Sequence, residues 1–185
     1  VMVSNFDKMG SEELRKSLAF SKRKTFEFWL NNLRTVVPKE SKISEDQRHY
    51  VARFLTRFSL VSTTDSMCWF PTFTNLAQIY DEFILDVENQ YSPEPMEIAG
   101  CQTLLLGGFY LKAAEKHYNV ADIVSLGKLF FTRGAIGKRG VIIKKMAHNF
   151  GQWQNTLCYL EWYLRNERLL IQNTEKSDEP LIKIV

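Results

Sequence analysis

The sequence predicts an all-α fold, a single-domain helical bundle of about five to seven helices with a long C-terminal amphipathic helix. Two observations predict it. Apolar residues from Gly140 to Ile171 recur in steps of three and four, the spacing of a helix that buries one face. Much of the remaining chain shows the same helical period between capping residues and prolines, without βα alternation. The seam of the long helix consists of Ile143, Met146, Phe150, Trp153, Leu157, Leu160 and Leu164.

The first two helices are predicted from their caps. Ser11 precedes two acids and an apolar stripe, which is typical of a helix start. Pro38 and its polar neighbours predict a loop. Ser44 with Gln47 three residues later forms a capping box, so a second helix begins there.

The middle of the chain predicts a loop and then a helix. Residues 62–73 break the helical period, yet they are rich in aromatic residues that we expect to be buried. Thr74 or Asn75 caps a helix that reaches about Val87. Two prolines in residues 91–100 then predict a firm break.

The next helix is predicted from about Pro95 to Tyr118 and is apolar on several sides, so we expect it to be the most buried. The pair Gly107–Gly108 lies in its middle and costs about 1 kcal/mol per glycine relative to alanine. This cost indicates a close helix crossing or a kink. Asn119 or Asp122 starts the helix that follows.

The predicted domain covers residues 1–172, and a flexible polar tail covers residues 173–185. The chain of 185 residues is long enough to bury its own core. Its three cysteines are scattered, which is typical of the reducing cytoplasm, and no apolar run is long enough for a membrane helix. We therefore expect a cytoplasmic protein with no membrane contact.

The charges are unevenly distributed. The net charge is only +3, but residues 58–111 carry seven acids and no Lys or Arg, whereas residues 112–146 carry eight basic and two acidic residues. Either these two segments pair inside the fold, or the surface has two poles.

No motif for catalysis, a cofactor or a metal is visible. The sequence has no nucleophile signature, phosphate-binding loop or dinucleotide fingerprint. His49, His117 and His148 lack the spacing of metal ligands, and the cysteines form no zinc pattern. We predict no catalytic residue, no metal and no cofactor.

One short motif indicates a ligand. The segment from Ile136 to Met146, IGKRGVIIKKM, resembles the GxxG core of a KH domain. That resemblance implies that the backbone of residues 137–140 clamps nucleic-acid phosphates and that Ile143 lies in the core of the following helix. A KH domain also needs a three-stranded sheet, and the flanking segments here predict helices, so we expect the motif without the KH fold.

The same turn is a candidate anion site on physical grounds, because backbone N–H groups at a helix start attract negative charge. The alternative is that this basic turn faces the acidic segment over residues 58–111. The candidate anion or nucleic-acid-binding residues are Arg133, Gly137, Lys138, Arg139, Gly140, Lys144 and Lys145.

A second resemblance covers roughly residues 50–170. The segment LLLGGFYLKAAEKHYNVADIVSLGKLFF, followed by the helix at Phe150, is similar to uncharacterised bacterial all-helical proteins. Because the matching residues are packing residues, the resemblance implies an all-α fold and a bacterial or phage origin, and it implies no activity.

We expect a non-enzymatic interaction or regulatory domain with a protein partner or a homo-oligomer. Trp153, Leu157, Leu160 and Leu164 are the candidate interface, although the same seam is equally consistent with the core of a bundle. The alternative function is nucleic-acid or phosphate binding by the basic turn. A third possibility, an enzyme with a pocket at the aromatic loop, depends only on Trp69 and Phe70.

Overall fold

The computed structural model describes residues 21–60, residue 85 and residues 92–174. Every regular element in these ranges is helical and none is a strand, so the predicted all-α fold is confirmed. The helices are α1 (21–36), α2 (Glu45–Leu60), α3 (Pro93–Gly107), α4 (Leu111–Ala114), α5 (Val120–Gly134), α6 (Gly140–His148) and α7 (Phe150–Thr174). A 3-10 turn, Gly137–Arg139, joins α5 to α6.

Backbone contacts group the chain into two compact units, Val1–Phe73 and Thr74–Val185. The single domain over residues 1–172 stays a prediction. The first two residues of the predicted tail, 173 and 174, belong to α7. The rest of the tail lies outside the described residues and stays a prediction. The predicted elements between residues 62 and 87 lie outside them too, except Leu85, which is exposed.

In the first unit, α1 and α2 bury apolar side chains, and Leu33, Val51 and Leu55 are fully buried. The loop predicted at Pro38 separates the two helices. The side-chain oxygen of Gln47 accepts a hydrogen bond from the backbone N–H of Ser44 at 3.0 Å, so the predicted helix start at Ser44 is confirmed.

The second unit is built on α3, in which every residue from Met96 to Gly107 is buried, as predicted for the most buried helix. The predicted extension to Tyr118 is wrong, because α3 ends at Gly107 and α4 is a separate short helix. At Gly108 the backbone turns to φ −97° and ψ −83°, outside the helical range. An added Cβ there would lie 2.6 Å from the Cβ of Leu157, so the helices also cross closely at this point, as the glycine pair predicted.

Helix α5 lies antiparallel to α3 and makes its most extensive contacts with it. In the middle of α3 an added Cβ on Gly100 would lie 2.8 Å from the ring of Phe131, and at its C-terminal end one on Gly107 would lie 2.8 Å from Ile123. Small residues on α3 therefore allow the two backbones to approach. Asn119 caps α5, since its side chain accepts from the N–H of Ala121 at 2.9 Å.

The long helix predicted from residue 140 to 171 is divided at Asn149, where φ is −97° and ψ is 15°. The backbone bonds from Asn149 N–H to the Lys145 carbonyl and from Trp153 N–H to the Asn149 carbonyl, at 3.0 and 2.9 Å, continue across the break. Two helices thus follow each other with a one-residue bend. Phe150, directly after the bend, packs its ring over the bare backbone of Gly127.

Candidate functional site

The glycine-rich turn between α5 and α6 is tight. Gly137 has φ +74°, a left-handed conformation that side-chain-bearing residues rarely adopt, and it is the first residue of the 3-10 turn. An added Cβ on Gly140 would lie 2.9 Å from the carbonyl oxygen of Ala135, so the chain folds back closely on itself. The two glycines of the KH-like motif therefore meet different local requirements. Gly137 adopts a dihedral angle that suits glycine, and Gly140 lies too close to Ala135 to carry a side chain.

Arg139 connects this turn to α3. Its guanidinium donates to Glu97 at 2.8 Å, and the Glu97 side chain is only 8% exposed whereas that of Arg139 is 65% exposed. Glu97 belongs to the acidic segment over residues 58–111. The predicted pairing of the two oppositely charged segments is therefore present at this one contact. Arg139 stabilises the buried carboxylate and serves the fold, although it was predicted as a ligand-binding residue.

The other predicted basic residues are exposed. Within the described part of the chain, Arg133, Lys138 and Lys144 have no ion-pair partner. The acids considered as their partners, Asp81, Asp86 and Glu88, lie outside the described residues. Between Asp122 and Glu161 the sequence contains six basic residues and no acid. We call the predicted site residues among them, apart from Arg139, the basic surface: Arg133, Lys138, Lys144 and Lys145, all of which are exposed.

Two large aliphatic residues flank the basic turn and are exposed. Ile136 is 60% exposed and Val141 is 69% exposed. They directly follow Ala135 and Gly140, whose backbones are in contact, so they lie at the two ends of the tight turn. Sequence reasoning did not single out either residue as exposed.

An exposed face continues from the basic surface along α6 and α7. Its members recur at helical spacing, are all exposed, and include no acid. We call this face the exposed stripe: Val141, Lys144, Lys145, His148, Gln152, Asn155, Tyr159 and Trp162. At its far end the rings of Tyr159 and Trp162 are stacked, with their centroids 5.5 Å apart and an interplanar angle of 22°.

Sequence reasoning missed this aromatic pair. Trp162 lies outside the seam predicted for the long helix, and its side chain is 54% exposed. The sequence does carry a signal for the exposed stripe: positions spaced by three or four residues along α6 and α7 include no acid.

The predicted interface residues are mostly interior. Trp153, Leu157 and Leu160 are fully buried within the chain, and Leu164 is half-buried. These side chains fill the space against neighbouring helices, so the first three present no surface to a second copy. The sequence left open whether the seam is an interface or the core of the bundle, and these three residues belong to the core.

The described residues offer little for other chemistry. Burial raises the pKa of the Cys158 thiol, so it stays protonated and is a poor nucleophile. In the described ranges, no group of three or more His, Cys, Asp or Glu side chains is placed to hold a metal. Nor is any helix there long and apolar enough to cross a membrane.

Comparison with known protein families, with curated proteins and with solved structures finds no match to this chain. The KH-like motif lies between helices, and the described residues contain no strand for the sheet of a KH domain. By its described residues this chain is therefore an all-α protein whose exposed stripe contains no acid.

Arg139→Ala is expected to lower the free energy of unfolding by about 1–2 kcal/mol, because it removes a charged partner from the buried Glu97 carboxylate. Most of the Arg139 side chain is exposed, so the loss stays below that of a fully buried pair. Urea denaturation followed by circular dichroism measures it. Arg133→Ala is the matched control, with a change within about 0.5 kcal/mol. An equal loss in both variants would contradict a specific role for Arg139.

Proposed function

We propose that this chain is a non-enzymatic nucleic-acid-binding protein and that the basic surface contacts phosphates. The observation that supports this most is the exposure of Arg133, Lys138 and Lys144 without an ion-pair partner in the described part of the chain. Exposed positive side chains attract a polyanion and release its counterions on binding. The turn adds the N-terminus of α6, whose partial positive charge has the same sign.

Arg139 has a supporting role in this proposal. Its pair with Glu97 ties the turn, including Lys138 and the start of α6, to α3. A turn that is held in place binds a phosphate with less loss of conformational entropy than a mobile loop. We also propose a cytoplasmic location, which is supported by Cys158, a thiol outside any disulfide.

Charge reversal tests the proposal. We expect Lys138→Glu/Lys144→Glu to weaken binding of a fluorescent oligonucleotide at least tenfold at about 50 mM salt and to reduce the log–log salt slope by about two. The measurement is fluorescence anisotropy over a range of salt concentrations. Lys112→Glu/Lys116→Glu is the matched control, because both lysines are exposed and the charge change is identical.

The control variant is expected to bind within about threefold of the wild type at the same salt, because neither lysine belongs to the basic surface and salt screens exposed charges. Equal weakening of oligonucleotide binding in the two double variants would show that binding depends on the net charge of the protein and not on the basic surface. No retention of the wild type on heparin at low salt would overturn the proposal.

A second candidate is the interaction module expected from the sequence, with a protein partner or a second copy. Exposed Ile136 and Val141 favour it, because aliphatic side chains at a basic surface fit a partner with apolar and acidic groups. Light scattering over a range of protein concentrations tests the second copy. A dimer that Ile136→Asp/Val141→Asp converts to monomers supports it, and a wild-type monomer throughout excludes it.

A further inference from the structure

We propose that the ligand of the exposed stripe is a single-stranded nucleic acid, with phosphates on Lys144 and Lys145 and bases stacked on Tyr159 and Trp162. This inference rests on the proposed function, since it names the class of nucleic acid and adds contacts outside the basic surface.

The backbone first shows that the two ends of the stripe belong to one face. The hydrogen bonds on either side of Asn149 preserve the helical connection from α6 to α7. Residues spaced by three or four along such a connection lie on the same side. Lys145 and Tyr159 are fourteen residues apart. At 1.5 Å per residue this separation is roughly 21 Å, about the length of six stacked nucleotides at 3.4 Å each.

The chemistry along the stripe changes from one end to the other. Lysines lie at the α6 end, Gln152 and Asn155 supply exposed amide donors and acceptors in the middle, and the aromatic pair lies at the far end. The nearest acid in sequence, Glu161, forms an ion pair with Arg165, and its side chain is only 18% exposed. That pair keeps its charge from opposing a phosphate backbone.

The aromatic pair is a surface for stacking. Tyr159 is 49% exposed and Trp162 is 54% exposed, although the two rings cover one another in part. Exposed aromatic rings beside a basic groove bind bases by stacking, and stacking tolerates any base because each has a π face. The two rings hold each other in position, so a base adds to a stack that already exists.

Stacking also selects the single strand. In a duplex the faces of the bases are covered by neighbouring base pairs, so Trp162 could reach only an end or a groove. In a single strand the base faces are accessible, while the phosphates remain available to Lys144 and Lys145. The aromatic end should therefore contribute to single-strand affinity and not to duplex affinity.

The test compares a thymidine oligomer of about 12 nucleotides with a duplex of the same length, by anisotropy at low salt. Tyr159→Ala/Trp162→Ala is expected to weaken single-strand binding about tenfold or more and to change duplex binding less than about twofold. Tyr110→Ala is the matched control, because Tyr110 is also 49% exposed, and it should change neither. Unchanged circular dichroism spectra verify that the variants are folded.

The outcomes separate this inference from the proposed function. If the aromatic variant binds both ligands as the wild type does, while Lys138→Glu/Lys144→Glu weakens both, the stacking role is overturned and the proposed function stands. If the wild type binds neither ligand, both are overturned, and an acidic protein becomes the better candidate for this surface. A trinucleotide that binds as tightly as the longer oligomer would also overturn the inference, because it is too short to reach from the lysines to the aromatic pair.

Discussion

Gly127→Ala is expected to be among the most damaging small substitutions in the chain, lowering the free energy of unfolding by about 3 kcal/mol. An added Cβ would lie 2.0 Å from Cζ of Phe150, whereas carbon atoms pack at about 3.5–4.0 Å. Phe150 is fully buried, so its ring has no free space into which to move. The gain of about 1 kcal/mol in helix propensity from alanine is too small to compensate.

Gly151→Ala is the matched control, because this glycine is also within a helix and the nearest atom to its added Cβ is 3.8 Å away. Here alanine is expected to stabilise the protein by about 0.5–1 kcal/mol, since only the propensity gain remains. Thermal or urea denaturation of both variants distinguishes the two effects. A Gly127→Ala protein as stable as the wild type would show that Phe150 does not pack over Gly127.

Trp153→Ala is expected to cost about 3–5 kcal/mol, a large part of the total stability of a typical domain. Its side chain is completely buried, and the alanine variant leaves a cavity of nearly the whole indole. Among the described residues the indole N–H has no hydrogen-bond partner, so the expected loss comes from packing rather than from a broken polar contact. Denaturant unfolding together with light scattering measures stability and mass in the same samples.

Trp162→Ala provides the comparison, because this tryptophan lies on the same helix and is 54% exposed. Its substitution should change stability by about 0.5 kcal/mol or less. A stable Trp153→Ala protein that changes from dimer to monomer would restore the seam as an interface. Loss of stability without such a change supports the core assignment.

The local signals in the sequence were sufficient for the helical class and for several boundaries. The capping pair Ser44 and Gln47 predicted the start of α2, and Asn119 was one of two candidates for the start of α5. Buried α3 was predicted from a run that is apolar on several sides. These features depend on neighbours within a few residues, which is the range that a sequence pattern reports.

The long helices were less predictable. The period of three and four continues unchanged past Asn149, so it does not reveal the bend. The doubled glycine before Phe109 signalled a crossing or a kink, but the end of α3 was not identified from it. In both places a contact with another helix coincides with the break, Phe150 with Gly127 and Leu157 with Gly108.

The sequence by itself determined that this chain is helical, where its basic turn lies, and which seam residues are apolar. Only the tertiary structure decided that Arg139 serves buried Glu97, that Trp153 is interior and that Trp162 is exposed. The two tryptophans are nine residues apart on one helix, and their residue type is the same. Their environments differ because α3 and α5 pack against one side of α7 and leave the stripe on the other side exposed.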